Sequence, residues 1–235
     1  MAVNINTVYQ RVLAILNKEQ RGYITPQEFN LFANQAQMEI FEQYFYDLNQ
    51  ALRLPGNDTG HADMTNILEE KISIFKKNKS SSNLSISSNK ITLSTNDLYR
   101  LTAVYYSDVE CDRVTKREAR DILLSPLTVP TANRPIFYET AGGFYVYTSD
   151  SLLSATTDID IDYIRKPADI NWAYNTVSGA AVNNASNTVD SELHESEETA
   201  LVFKILQLAG LAVKDTSVYQ AGSQMEIKNI QQEKA

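Results

Sequence analysis

The side chains able to do chemistry in this sequence are few, and their surroundings limit them. His61 and His194 are the only imidazoles. His61 lies in a stretch rich in Gly and Asp that reads as an exposed loop. His194 sits in the acidic stretch 190–198, at a strand-to-helix junction where Ser196 is placed to cap the helix that follows. General-base work by His194 would need a positioned nucleophile and an orienting carboxylate. No Gly-x-Ser-x-Gly elbow or other nucleophile signature accompanies it. Asp158, Asp160 and Asp162 match the first positions of a calcium loop, but the match then fails: Tyr163 stands where glycine is needed and Asp169 where a bidentate glutamate is needed. The intervening Ile159 and Ile161 indicate a strand with three aspartates on one face. Such a face suits plain solvation, docking on a basic partner, or the wall of a channel that must repel phosphate. Cys111 is the single cysteine, so neither an internal disulfide nor a cysteine-based zinc site is available. No phosphate loop, dinucleotide fingerprint or metal-ligand cluster occurs. The expectation is a protein without enzymatic activity, catalytic residue, metal or cofactor.

The elements that position these residues are organised around one helix. Thr25 is its N-cap, Pro26 takes the first helical position, and Glu28 completes a capping box. Ile24 and Phe29 flank the cap at the spacing of a hydrophobic staple. Over 26–49, Phe29, Phe32, Ala33, Ala36 and Ile40 share one side at about 100° per residue. Leu31, Met38 and Phe45 form a second apolar line at seven-residue spacing, roughly opposite. A helix apolar on two sides needs two covers. Either both come from the same chain, or one comes from a neighbouring copy, which makes these three residues candidates for a subunit interface. Asn30, Asn34, Gln35, Gln37 and Gln43 fill the gaps with neutral amides, a surface that suits a polar contact between proteins as well as it suits water.

Before this helix, Asn6 is placed to cap one running to about Gln20, with Gly22 just beyond its end. After it, 64–76 reads as a short helix and 76–83 as a solvated linker. From Leu84 the apolar period changes from 3.6 to 2. Strands are expected around 84–93, 98–106 and 157–165, a hairpin over 135–147 through Ala141-Gly142-Gly143, and a helix over 114–124. The Asn-, Ser- and Ala-rich 171–186 reads as a long loop with room for a short strand within it. A buried helix follows at 201–212, and Asp215 is placed to cap a last one toward Gln232. The polar stretch 216–235 is expected to be ordered only by docking on another protein. The fold class is therefore α+β. Helices from both termini pack as one layer and an antiparallel β-rich region is inserted between them, with divisions at 1–83, 84–194 and 195–235.

Composition excludes several functions. A net charge of −8 disfavours wrapping nucleic acid, where affinity comes from cations on phosphates. No run approaches the roughly 20 apolar residues of a membrane helix, so no membrane partner is expected. The polar start of the chain has no secretory signature, which suggests a reducing cytoplasm.

Three segments are similar to virion proteins of crAss-like and related short-tailed bacteriophages. They are Asn17-Lys-Glu-Gln-Arg-Gly-Tyr-Ile-Thr-Pro-Gln-Glu-Phe-Asn30 with 33–45 after it, Asp162-Tyr-Ile-Arg-Lys-Pro167, and Glu192-Leu-His-Glu-Ser-Glu-Glu-Thr-Ala-Leu201. The resemblance implies a viral structural protein: a ring subunit of the head-to-tail connector, or neck, below the portal. It further implies copies of the chain in a closed ring, typically a dodecamer, with the portal or other neck and tail ring proteins as partners. DNA would pass through the channel without specific binding, and assembly would take place in the bacterial host cytoplasm. A lower tail (nozzle) subunit is the alternative within the class. A host-glycan-binding module is the alternative outside it, with Trp172 and the tyrosines of 137–147 stacking on sugars.

Overall fold

The computed structural model describes residues 2–18, 24–53, 59–80, 84–87, 89–92, 98–140, 142–148, 153, 158–178, 180–212, 220 and 222–228. The class is α+β, with helices toward both ends and strands between them. The chain divides into two compact units. One joins 1–74 to 167–235 and the other is 75–166. These boundaries differ from the expected 1–83, 84–194 and 195–235. The extended segment 167–194 belongs with the helices, because its hydrogen-bond partners are there.

In the helical unit, β1 (Ala2–Val3) leads into α1 (Ile5–Lys18). The cap of α1 is Asn4, not Asn6. Its Oδ1 accepts from the N–H groups of Asn6 and Thr7 at 3.0 and 3.1 Å, which satisfies two of the orphan donors of the first turn. Asp190 accepts from the N–H of Ile5 at 2.9 Å. Ile5, Val8, Tyr9, Val12 and Leu16 are all buried, at the spacing of one helical face. Gln20 and Gly22 lie outside the described residues. α2 (Pro26–Arg53) follows and α3 (Thr59–Ser73) starts earlier than expected, so His61 is helical and not in a loop. At the far end come the hairpin β11 (Tyr174–Val177) and β12 (Ala180–Asn183), then β13 (Ser191–His194), a 3-10 turn (Glu195–Glu197) and α5 (Glu198–Ala212). β13 pairs antiparallel with β1. α5 packs on α1 and α2, and α3 packs on α2. The helices of the two termini thus form one layer, around a core that includes Phe29, Phe41, Leu201 and Ile205. A helical segment at 222–228 is tied to α5. Lys204 Nζ meets Glu226 Oε1 at 2.7 Å and Glu39 Oε2 at 3.3 Å, and Gly222 lies against Gln207. This part of the C-terminal stretch has an anchor within its own chain; the rest of 216–235, apart from 220, lies outside the described residues. Asp215 lies outside the described residues.

The second unit holds two sheets. One has the order β2 (Lys76–Ser80), β10 (Ile159–Arg165), β5 (Leu98–Tyr106), β6 (Val109–Glu110) and is antiparallel throughout. β2 occupies the position expected of a solvated linker. Its five residues are polar because it is an edge strand, held by main-chain bonds to β10 and protected by lysines against further pairing. The other sheet has the order β3 (Ser85–Ser87), β4 (Lys90–Thr92), β9 (Gly143–Tyr147), β8 (Ile136–Thr140), β7 (Asp112–Arg113), with β7 and β8 parallel. Leu101, Val104, Ile159 and Ile161 of the first sheet and Ile91, Phe137, Phe144 and Val146 of the second form a single core. The alternate residues of the second sheet face the other way. Ile136 and Tyr138 pack beneath Ala119 of α4 (Lys116–Leu124), and Tyr138 stacks on Tyr145 and Tyr147. α4 carries its own capping box: Thr115 N donates to Glu118 Oε2 at 2.8 Å and Glu118 N to Thr115 Oγ1 at 3.3 Å.

Candidate assembly surfaces

α2 begins as its sequence requires. Thr25 N donates to Glu28 Oε2 at 2.9 Å and Glu28 N donates to Thr25 Oγ1 at 3.3 Å. The bond from Thr25 N, together with one from Thr25 Oγ1 to the same oxygen at 2.8 Å, holds the Glu28 carboxyl below its ordinary range. Phe29, Ala33, Ala36, Ile40, Phe41 and Tyr44 are buried, so one side of the helix is covered by its own chain.

Three of the amides are covered as well. Asn30 Oδ1 accepts from Trp172 N at 2.8 Å and its Nδ2 donates to Trp172 O at 3.3 Å. Asn34 makes the same pair of bonds to Ile170, at 2.7 and 3.0 Å. Gln37 Nε2 donates to Ala168 O at 2.8 Å and its Oε1 accepts from Ser191 Oγ at 2.7 Å. Four helical residues rise about 6 Å, nearly the advance of two residues in an extended strand. Asn30, Asn34 and Gln37 thus form a ladder that stands in for a neighbouring strand along 168–172. The expectation that these amides serve a contact with another protein is corrected for these three, since their donors and acceptors are engaged within the chain.

The opposite side of α2 is different. Leu31 is 70% exposed. Met38 and Phe45 are half-buried, and Phe45 sits edge-on to Phe41 with ring centroids 5.1 Å apart. Leu52, exposed, continues the line by the same seven-residue step, and Tyr46 is exposed beside it. Gln35, Glu42 and Asn49 lie between the apolar positions and are exposed. The result is an apolar strip along one helix, rimmed by polar groups, which suits the core-and-rim pattern of a protein contact.

The aspartates do not form the open row that alternation suggests. Asp158 is exposed but precedes β10, while Asp160 and Asp162 are half-buried. β10 is an interior strand, so neighbours on both sides cover the row. Asp160 stands opposite Ser80 and Tyr105, and Asp162 opposite Asn78 and Ala103. Asn78 Nδ2 donates to Asp162 Oδ1 at 2.9 Å.

No family model matches this sequence, and no curated protein matches it.

The remaining chemical groups have structural partners. His194 is the cap of the 3-10 turn: its Nδ1 accepts from Ser196 N at 3.3 Å and lies 2.9 Å from Ser196 Oγ. The capping role expected of Ser196 belongs to His194. Burial, with Asp112 and Glu110 adding to it, pushes the Cys111 thiol up to about 12, well away from nucleophilic use. Trp172 is 2% exposed; it stacks on Tyr9 at 3.9 Å, and its Nε1 donates to Asn6 Oδ1 at 3.1 Å. It has no free face for a sugar. Of the hairpin tyrosines expected to stack on sugars, Tyr138 is buried, and Tyr145 and Tyr147 are half-buried and stacked on it. Lys71 and Glu197 form a buried ion pair at 2.6 Å, fastening α3 to the 3-10 turn. Among the described residues no group of three or more His, Cys, Asp or Glu side chains is placed to hold a metal ion, and no described helix is long and apolar enough to cross a membrane.

One surface escapes the sequence reading. Leu123 and Leu124 end α4, and Leu127 and Val129 follow; all four are exposed. The signal is present as four apolar residues around Ser125-Pro126 that belong to no helical or strand period.

Proposed function

We propose that this chain is a non-catalytic structural ring subunit of a phage head-to-tail connector, joining portal and tail around the DNA path. The observation that carries the reading is the apolar line Leu31, Met38, Phe45 and Leu52, exposed at its two ends and half-buried at Met38 and Phe45, on a helix whose other side is already packed. Isolated exposed leucines are ordinary. A line of four at constant spacing along a 28-residue helix is the form of a contact with another chain. A ring requires a lateral contact between two different patches, which closes by rotation. The charge of −8 fits a channel through which DNA moves without adhering, and the three phage-like segments supply the virion context.

The test is the native mass of the purified chain and of Leu31→Asp/Met38→Asp. The wild type is expected to form closed rings of one stoichiometry, the dodecamer being the expected size. The double variant is expected to be a monomer with unchanged circular dichroism and thermal midpoint. Persistence of rings in the variant, or its unfolding, would show that the strip is not a subunit contact.

A further inference from the structure

Along 168–172 the main-chain groups on one side of the extended chain are satisfied by α2. Ala168 O accepts from Gln37, and the N–H and C=O groups of Ile170 and Trp172 bond to Asn34 and Asn30. The odd residues point the other way. Asn171 and Val189 exchange main-chain bonds at 3.2 and 2.8 Å, and Ala173 O accepts from Asn184 N at 2.8 Å. Alternation along an extended chain carries the same row into β11, so Tyr174 and Thr176 turn their N–H and C=O groups to the side that α2 covers further back. The ladder ends at Asn30, about one turn from the start of α2 at Pro26. Across the hairpin Asn175 faces Val182 and Val177 faces Ala180, which by the same alternation leaves Ala181 and Asn183 on the outer edge of β12. Among the described strands, β11 and β12 pair only with each other. The hairpin therefore has two open edges.

An open edge is complementary to an extended strand, because it offers donors and acceptors at strand spacing. Three observations say whose strand. All four residues of β11 are exposed, and two strands alone are marginal in water, where three or more are needed. The run 170–189 holds no Asp, Glu, Lys, Arg or His and is the longest such run in the sequence. Copies of a chain of net charge −8 repel least where both are neutral. Edge strands β2, β6 and β7 by contrast carry charges, one of the means by which edges are kept from pairing. Finally, pairing β11 with its own copy would leave both β12 edges open. Pairing β11 with β12 of the next copy is antiparallel and engages both edges of every hairpin. It also brings exposed Val177 and Val182, which share one face, beside the valines of the neighbouring copy.

We propose that the edge of β11 pairs with the edge of β12 in a second copy of this chain, with Tyr174 opposite Asn183 and Thr176 opposite Ala181. This inference rests on the ring reading above and adds a main-chain contact to its lateral interface. The two edges differ, so the contact is head-to-tail and propagates until rotation closes it. Closure leaves no edge of the hairpin open.

The experiment uses full-length Asn175→Cys and Val182→Cys, oxidised separately and as an equal mixture. The proposed register sets these two positions opposite each other at a closely spaced pair between copies, within disulfide reach, and Cys111 is buried. A disulfide-linked dimer is expected in the mixture and in neither variant alone. A dimer from Asn175→Cys alone would mean that β11 pairs with β11, and the inference fails. A mixture without cross-link, while the wild type assembles, also overturns it and leaves the ring reading standing. A wild type that is monomeric at every concentration overturns both. As a second measurement, Thr176→Pro removes an outward N–H and spares the bonds inside the hairpin. Native mass spectrometry should show its association weakened at least about tenfold, as for a hydrogen bond lost at a closed contact. Assembly like that of the wild type would again overturn the inference. Should proline disturb folding, Thr176→Lys, which gives β11 the kind of charge that β2 carries, replaces it with the same outcomes required.

Discussion

At the residue scale, the most consequential side chains are amides that act as backbone. Asn34 satisfies both main-chain groups of Ile170, a residue 2% exposed. Asn34→Ala leaves a buried N–H and C=O without these partners, at a cost of about 1–3 kcal/mol. Gln35, one position on, reaches only Glu39 at an exposed site, and Gln35→Ala should change stability by less than about 0.5 kcal/mol. Chemical denaturation of the two variants measures the difference; equal effects would mean that the ladder does not hold 168–172. The helical spacing of these amides is legible in the sequence, but their partner is not. An amide donates and accepts equally well toward solvent, another chain or an extended strand of its own, and only the fold brings 168–172 alongside. The capping box at Thr25 is legible because both halves of it are local. The cap at Asn4 is displaced by two residues from the expected Asn6, since both are asparagines preceding the same apolar face and the difference is made by Trp172, far along the chain.

At the element scale, the strongest backbone constraint is in the hairpin of β8 and β9. Gly142 has φ +80° with open space where a Cβ would go, whereas a Cβ on Gly143 would come within 2.2 Å of Ile91 O. Gly142→Ala should cost about 1–2 kcal/mol, the usual penalty of left-handed backbone. Gly143→Ala must in addition move β9 away from β4 and should cost more, with faster amide exchange where Phe144 pairs with Ile91. Equal stability of the two variants would show that the close approach is not limiting. This hairpin is legible because aromatic alternation and a Gly-Gly turn coincide. β2 is not legible: an edge strand needs no apolar alternation, and Lys76-Lys77-Asn78-Lys79-Ser80 has the composition of a loop. The strip on α2 is legible from seven-residue spacing. The exposed group after α4 is not, because its residues share no period and stand out only by their exposure.

At the scale of the whole molecule, the sequence separates helices from strands but misplaces the boundaries, since 167–194 has strand composition and helical-unit partners. The acidic row belongs to the other unit, and its contribution to a virion would come from repetition around a ring. Its exposure is uneven: Asp162 is engaged by Asn78 and Asp160 is half-buried, whereas Asp158 is open to solvent. A carboxylate meeting a cation at an exposed site contributes about 1 kcal/mol at 4 Å in water, small for one subunit and additive over a closed ring. Under the ring reading proposed above, the role we propose for these aspartates is docking on a basic neighbour, because charges fixed on and beside a strand suit a defined partner. Replacing all three aspartates with asparagine preserves size and polarity and removes the charge. Stacking of the ring on its neighbour should then weaken, and raising salt should weaken the wild type in the same direction. Asp158→Asn alone should reproduce most of the loss, since it is the one residue of the three fully available to a partner. Intact assembly with altered DNA retention or ejection would instead place the row on the channel wall. Unchanged assembly, DNA handling and infectivity in the triple variant would reduce it to a solvated face.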